Sequence, residues 1–167
     1  MKIFGIAGWS GSGKTTLLSH LLPELIGRGY SVSTVKHAHH KFDIDQPGKD
    51  SYEHRRAGAT EVMIASANRW ALMHEYQDDS QPELHEIIAR MTPVDLLLVE
   101  GFKWADHPKI EVHRPAVGKA LLQPDDPLIV GVASDLPLPG LAVPNLALDD
   151  VLAIADFILE QSSLKAA

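Results

Sequence analysis

Eight consecutive residues near the start of the chain match the pattern G-x-x-x-x-G-K-[ST] in full: Gly8-Trp9-Ser10-Gly11-Ser12-Gly13-Lys14-Thr15. Glycines allow the backbone to turn back so that several N–H groups point into one concavity, which suits phosphate oxygens. Lys14 would place its charge between the β- and γ-phosphates, and the Thr15 hydroxyl can ligate Mg²⁺. The sequence therefore predicts that Gly8 to Thr16, with Thr16 included, bind a nucleoside triphosphate.

Glu100 is the second candidate for this site. It ends the apolar segment Asp95 to Glu100 (DLLLVE), which is typical of a buried parallel strand. A Mg²⁺ site beside a phosphate loop needs a carboxylate at the end of a neighbouring strand, and Glu100 is placed to provide it. Two roles stay open for this carboxylate: contact with Mg²⁺ through water, or positioning of an attacking water. Lys14 and Glu100 are the catalytic candidates, and Thr15 and Glu100 the metal candidates.

A polar loop rich in histidine and aspartate follows the second predicted strand, at the edge of the sheet where ligands bind. In one interpretation Asp43, Asp45 or Asp50 meets Mg²⁺, while Lys36 or Lys49 meets phosphate. In a second, the loop holds Zn²⁺ or Ni²⁺ through His37, His39 and His40, with His54 as a further ligand. In the third it is a solvated loop. We include Lys36 and Asp50 in the predicted nucleotide site, and Asp45 among its metal ligands.

Asp135 is the candidate for recognition of the base. It follows the predicted strand Leu128 to Ala133, and its carboxylate could accept hydrogen bonds from guanine N1 and N2, which adenine cannot supply. The usual N/T-K-x-D pattern of guanine-binding proteins is not found in the sequence. The alternative is that Asp135 only forms the turn before Leu136-Pro137.

The elements around these residues alternate between strands and helices. Short apolar or β-branched runs predict strands at Ile3 to Ala7, Tyr30 to Lys36 and Asp95 to Glu100, and helical spacing predicts a helix over Thr15 to Arg28 in which Pro23 introduces a kink or an end. This alternation indicates an α/β fold with a mainly parallel sheet flanked by helices, and the glycine motif after the first strand predicts that it is of the P-loop NTPase type.

Several further elements are predicted with less regular connections. Two strands, Glu61 to Ala65 and Arg69 to His74, are joined by a short turn. Lys109 to Ala133 contains two strands and no long helix, which predicts an antiparallel extension or edge hairpin. A closing helix is expected from Ala147 or Leu148 to Gln161. No linker is found, so residues 1–167 are predicted to form a single nucleotide-binding domain.

Composition excludes several classes of function. The 15 Lys and Arg against 22 Asp and Glu give a net charge of −7, so the basic footprint of a nucleic-acid-binding protein is absent. No cysteine is present, which excludes disulfides and thiolate metal sites. No run approaches the roughly 18 apolar residues of a membrane helix, and the first residues lead straight into the glycine loop. We therefore expect no membrane association and a cytoplasmic location.

Three segments together resemble the MobB family, the adaptor proteins of molybdopterin-guanine dinucleotide biosynthesis: GWSGSGKTTL, TVKHAHHKFDIDQPGKDSYEHRRAGA and DLLLVEGFKWADHPKIEVHR. The likeness extends from Met1 to about Asp135. It implies a homodimeric P-loop GTP-binding protein of the SIMIBI type with weak GTPase activity. Its partner is MobA, the guanylyltransferase that joins GMP to molybdopterin, and other molybdopterin enzymes are further candidate partners. By this resemblance Gly8 to Thr16 hold the phosphates, Glu100 serves the Mg²⁺ side, and the family's D-x-D and G-K-D loop corresponds to Asp43, Asp45 and Gly48-Lys49-Asp50.

Three functions are therefore open at the level of the sequence. The first is an accessory protein that binds GTP and Mg²⁺, hydrolyses GTP slowly at most, and assists the conversion of molybdopterin to its guanine dinucleotide. The second is a small-molecule kinase with the same loop, and the third is a metallochaperone GTPase that uses the histidine loop.

Overall fold

The computed structural model describes residues 1–38, 42–76 and 82–164. The chain forms two compact units, one from Met1–His37 and Arg90–Ala167 and the other from Ala38–Ala89. Within the described residues, no helix has the length and apolar character needed to cross a membrane.

The first unit is built on a six-stranded sheet in the order β2-β5-β1-β6-β7-β8. Every neighbouring pair in this sheet is parallel. The strands are β1 (Lys2–Ala7), β2 (Val32–Lys36), β5 (Leu96–Glu100), β6 (Lys109–His113), β7 (Ile129–Ser134) and β8 (Asn145–Ala147). Because all strands run the same way, the loops that follow them meet at one edge of the sheet.

Helices α1 (Lys14–Gly27) and α4 (Val151–Gln161) cover one face of this sheet. Alternate residues of the strands, such as Phe4, Leu98 and Ile110, face the helices and are fully buried with them. The buried side of α1 consists of leucines at helical spacing, and the helix continues through Pro23. The apolar core thus fixes where α1 begins, immediately after the phosphate loop.

Charged residues occupy the other face of β6. The ammonium group of Lys109, 1 % exposed, donates to Asp126 Oδ2 and to the Ala105 carbonyl, both at 3.0 Å. The fully buried Glu111 carboxylate accepts hydrogen bonds from the backbone N–H groups of Leu122 and Gln123 at 2.9–3.0 Å. These bonds attach the segments before and after β6 to the sheet, because a buried charge needs such partners.

The second unit contains α2 (Asp50–Arg56), a hairpin of β3 (Glu61–Ala65) and β4 (Trp70–His74), and the short α3 (Leu84–Ile88). The hairpin strands are antiparallel, with Met63 opposite Leu72 and Ala65 opposite Trp70. Arg55 from α2 forms ion pairs with Asp43, Asp45 and Glu75, at 2.8, 2.7 and 3.5 Å. This arginine therefore connects α2 to the segments before and after it.

Most predicted elements are confirmed, including the β3–β4 hairpin and a parallel sheet flanked by helices. The prediction of an antiparallel extension within Lys109 to Ala133 is wrong, since β6 and β7 are parallel neighbours in the main sheet. Two 3₁₀ turns, Pro115–Val117 and Gln123–Asp125, serve as their connection. The sequence analysis also missed β8: Ala147, expected to start the last helix, ends this edge strand, and α4 begins at Val151.

His107 is expected to make the stability of the protein dependent on pH. Its ring is 6 % exposed, both ring nitrogens lack a hydrogen-bond partner, and burial, followed by the charge of Lys109, lowers its pKa from 6.5 to about 4. The unfolded chain therefore binds this proton more readily than the folded protein. The free energy of unfolding should fall as pH decreases from about 6.5 to about 4, by up to about 3 kcal/mol from this group.

Denaturant unfolding at a series of pH values measures the effect. The variant His107→Leu should lose this part of the slope, while His85→Gln, a change at an exposed histidine, should keep it. An unchanged slope in His107→Leu would show that His107 is not the titrating group.

Candidate functional site

The segment between β1 and α1 forms a tight loop that requires glycine at defined positions. Gly8, Gly11 and Gly13 have φ angles of 134°, 81° and 101°, a region that side chains rarely adopt. A Cβ on Gly8 would lie 2.4 Å from the Val112 carbonyl oxygen at the end of β6. The loop is therefore seated against β6, and the first turn of α1 follows it directly, as in sites that bind phosphate at a helix N-terminus.

Lys14 lies across this loop. Its ammonium group donates to the carbonyl oxygens of Gly8 and Trp9, at 3.0 and 2.8 Å. Burial lowers the pKa of Lys14, while the Glu100 carboxylate acts in the opposite direction and Lys103 and Lys36 lower it further. Several cations thus gather around the loop, and an anion bound there would be attracted by all of them.

Thr15 and Glu100 bring two oxygen groups together beside the loop. The Thr15 hydroxyl donates to Glu100 Oε1 at 3.0 Å, and the Lys36 ammonium lies 3.5 Å from the same oxygen. Glu100 is 8 % exposed and is the last residue of β5, which lies between β2 and β1 in the sheet. A hydroxyl and a carboxylate are hard oxygen donors, so their chemistry fits Mg²⁺.

Trp9 joins the phosphate loop to two neighbouring segments, and the sequence analysis gave it no such role. Its indole N–H donates to the Ala120 carbonyl at 2.8 Å, and the ammonium groups of Lys103 and Lys119 lie 4.0 and 5.8 Å from the ring centroid. The buried Glu111 holds the chain two residues after Ala120. An aromatic residue next to lysines in space cannot be recognised from the sequence when the lysines are about a hundred positions away.

A pocket of about 360 Å³ lies on the other side of the loop. Arg114, directly after β6, donates from Nε to the Ser12 carbonyl at 3.0 Å and from Nη1 to Asp135 Oδ2 at 2.9 Å. Arg114 therefore joins the phosphate loop to the end of β7. The pocket is lined by Gly13, Thr16, Leu17, His20, Arg114, Asp135, Leu148, Asp149 and Val151. Neither Arg114 nor Asp149 was predicted as a site residue. Arg114 directly follows β6, one of the two strands predicted within Lys109 to Ala133, and that position is a signal that could have found it, whereas Asp149 follows β8, which the sequence pattern did not reveal.

The structure brings together the predicted loop residues Gly8 to Thr16, Glu100 and Lys36, and it places Asp135 in the adjacent pocket. Asp45 and Asp50 belong to the second unit, where Asp45 is buried and paired with Arg55, and Asp50 is the first residue of α2. His39 and His40 lie outside the described residues. Within residues 1–38, 42–76 and 82–164, no group of three or more His, Asp or Glu side chains is arranged to hold a metal ion.

A parallel sheet flanked by helices, with a glycine loop that leads from the central β1 into α1, defines a P-loop protein. The family model described as molybdopterin guanine dinucleotide synthesis protein B, MobB, matches residues 3–135. The chain belongs to the MobB family.

Relatives and solved structures agree with this assignment. The chain is 44 % identical over 166 residues to the molybdopterin-guanine dinucleotide biosynthesis adapter protein of Escherichia coli K12, covering 96 % of this chain and 93 % of the relative. It is 42 % identical to the protein of the same name from Haemophilus influenzae, covering 95 % and 88 %. The crystal structure of molybdopterin-guanine biosynthesis protein B is 30 % identical, covers 95 % of this chain and 98 % of its own, and has a TM-score of 0.73.

The variant Gly8→Ala should test the seating of the loop. A methyl group there would collide with the Val112 carbonyl at a φ of 134°, so we expect a loss of about 1–3 kcal/mol in stability and weaker phosphate binding. Gly27→Ala is the matched control, because its Cβ meets nothing within 4 Å and Gly27 ends α1. Thermal unfolding measures the stability of both variants. A Gly8→Ala protein that melts with the wild type would contradict the assigned packing.

Proposed function

We propose that the chain binds GTP with Mg²⁺ at the phosphate loop and presents it to a guanylyltransferase partner, MobA, that joins GMP to molybdopterin. As a member of the MobB family, the chain acts as an adapter in molybdopterin guanine dinucleotide synthesis. The observation that carries the nucleotide proposal is the joint placement of Lys14, Thr15 and Glu100 around one glycine loop. We place this role in the cytoplasm.

The candidate residues divide into those that would bind the phosphates and those that would bind the metal. The N–H groups of Gly8 to Thr16 and the Lys14 ammonium would hold the phosphates, with Lys36 as a further cation. Thr15 and Glu100 would hold Mg²⁺, which neutralises charge on the β- and γ-phosphates. We also propose Asp45 and Asp50 for this site. The ion pair between Asp45 and Arg55 would have to break before Asp45 could act as a metal ligand.

Slow hydrolysis fits the arrangement around the loop. An arginine that stabilises the transition state is worth about 10³–10⁵ in rate. Arg114 contacts the loop, but its guanidinium is bound to the Ser12 carbonyl and to Asp135. We therefore propose at most a weak GTPase activity, with nucleotide binding and presentation as the main role.

We further propose that residues 1–167 act as one nucleotide-binding domain and that the protein is a homodimer. The β3–β4 hairpin supports the dimer, because Met63, Trp70 and Leu72 are large apolar residues that remain 36–63 % exposed on two short strands. A second copy that packs on this hairpin would bury them, and exposed apolar patches commonly mark such interfaces. Light scattering, which measures the mass of the protein in solution, tests this proposal.

Calorimetric titration of GTP, ATP and CTP in the presence of Mg²⁺ tests the proposed function. The wild type should bind GTP most tightly, and Lys14→Ala should weaken binding more than tenfold because it removes the loop's ammonium group. Lys2→Ala, an equal loss of charge at the opposite end of β1, is the control and should bind as the wild type does. Equal affinity of Lys14→Ala and wild type would refute the phosphate site. GDP release that rises strongly with a small-molecule acceptor would favour the kinase alternative.

The variant Glu100→Gln should distinguish the contribution of metal binding from that of phosphate binding. The amide keeps a group that can accept the Thr15 hydrogen bond, but it lacks the negative charge that attracts Mg²⁺. We expect the enhancement of GTP affinity by Mg²⁺ to fall several-fold, while affinity without Mg²⁺ is kept. Glu160→Gln, at an exposed position in α4, is the control. If Mg²⁺ enhances binding equally in wild type and Glu100→Gln, the metal assignment is wrong.

A further inference from the structure

We propose that Asp149 is the residue that selects guanine, and that the base lies in the pocket of about 360 Å³ beside Gly13 and Thr16. This inference rests on the proposed function, since it requires that the phosphate loop bind a nucleoside triphosphate. It assigns a specificity-determining role to a residue for which the sequence pattern gave no sign.

The position of the pocket fits the nucleoside end of a nucleotide. Its wall begins at Gly13 and Thr16 in the phosphate loop and extends to the ends of β7 and β8. Leu17, Leu148 and Val151 supply apolar surface for the faces of a planar ring. The volume of the pocket falls within the range of small-molecule sites, and its lining combines these apolar residues with polar and charged ones.

Two aspartates line this pocket, one after each of two neighbouring strands. Ser134 and Ala147 are partners in the β7–β8 register, so Asp135 follows one strand by one residue and Asp149 follows the other by two. The two carboxylates differ in what they already bind. Asp135 accepts from Arg114 Nη1 at 2.9 Å.

Asp149, in contrast, is exposed, and within the described part of the chain its carboxylate has no hydrogen-bond or ion-pair partner. The next residue, Asp150, is engaged: its Oδ1 accepts from Ala153 N–H at 3.0 Å and caps α4. Of these three aspartates, Asp149 alone offers both oxygens to a ligand.

Guanine presents N1–H and the N2 amino group side by side, and a carboxylate with two free oxygens can accept from both. Adenine offers no such pair of donors, and xanthine replaces the N2 amino group with an oxygen that a carboxylate repels. A site that is built around these two hydrogen bonds therefore rejects both analogues. Asp135 has a different role. It accepts a hydrogen bond from Arg114, which in turn donates to the Ser12 carbonyl in the phosphate loop.

The test measures the affinities of GTP and XTP, with Mg²⁺, for wild type, Asp149→Asn, Asp135→Asn and Asp150→Asn. The amide that Asp149→Asn introduces would donate to the xanthine oxygen. We therefore expect this variant to lose at least tenfold in affinity for GTP and to gain at least tenfold for XTP. Asp150→Asn removes the same charge one residue away and keeps a capping side chain, so it should keep the preference of the wild type for GTP.

Each outcome has a distinct meaning. An exchange of preference in Asp149→Asn, and not in Asp135→Asn, supports the inference. An exchange in Asp135→Asn instead would make Asp135 the base-reading residue and overturn it, as would an unchanged GTP to XTP ratio in Asp149→Asn. A wild type that binds neither nucleotide would refute the proposed function itself, and with it this inference.

Discussion

The close approach of Gly8 to the end of β6 is the constraint on which the site depends. The Val112 carbonyl occupies the space that any side chain at position 8 would need, so the loop after β1 is pressed against the neighbouring strand. This contact places the Ser12 carbonyl within reach of Arg114 and lets α1 begin at Lys14. The core beneath, where leucines of α1 pack on β1 and β5, holds the loop in that position.

The first unit concentrates positive charge around the phosphate loop, although the chain as a whole has a negative net charge. The whole sequence carries −7, yet Lys36 and Lys103 lie close enough to Lys14 beside the loop to lower its pKa. Glu100 forms an ion pair with Lys36, and Asp135 forms one with Arg114. Phosphate oxygens that approach the loop therefore meet a local field of opposite sign to that of the protein as a whole.

The sequence predicted the parts of the fold that depend on local pattern. The glycine loop, the apolar β5 and the β3–β4 hairpin follow from residue types and spacing, which act over a few positions. The parallel pairing of β6 with β7 could not be predicted in the same way, because the connection between them uses two 3₁₀ turns in place of a helix. The short β8 was missed since three residues, Asn145–Ala147, carry too little pattern to distinguish an edge strand from a helix start.

The candidate site divides in the same manner. Lys14, Thr15 and Glu100 could be predicted because a motif and a strand end mark them, and in the structure Thr15 donates to Glu100 while Lys14 lies across the loop. Arg114 and Trp9 make contacts with residues far apart in the chain, and Asp149 joins the pocket only through the fold, so only the folded arrangement relates them. The base-reading role that we propose for Asp149 belongs to this second group, since it depends on which aspartate is already bound.

The buried pair of Lys109 and Asp126 limits how this sequence can change over time. Loss of either partner alone would leave an uncompensated charge beneath the sheet, at a cost of about 3–5 kcal/mol, whereas replacing both by apolar residues of similar volume is often tolerated. The two positions are therefore expected to vary together among descendants of this chain. A single exchange at one of them is a step that selection would remove before the second could arise.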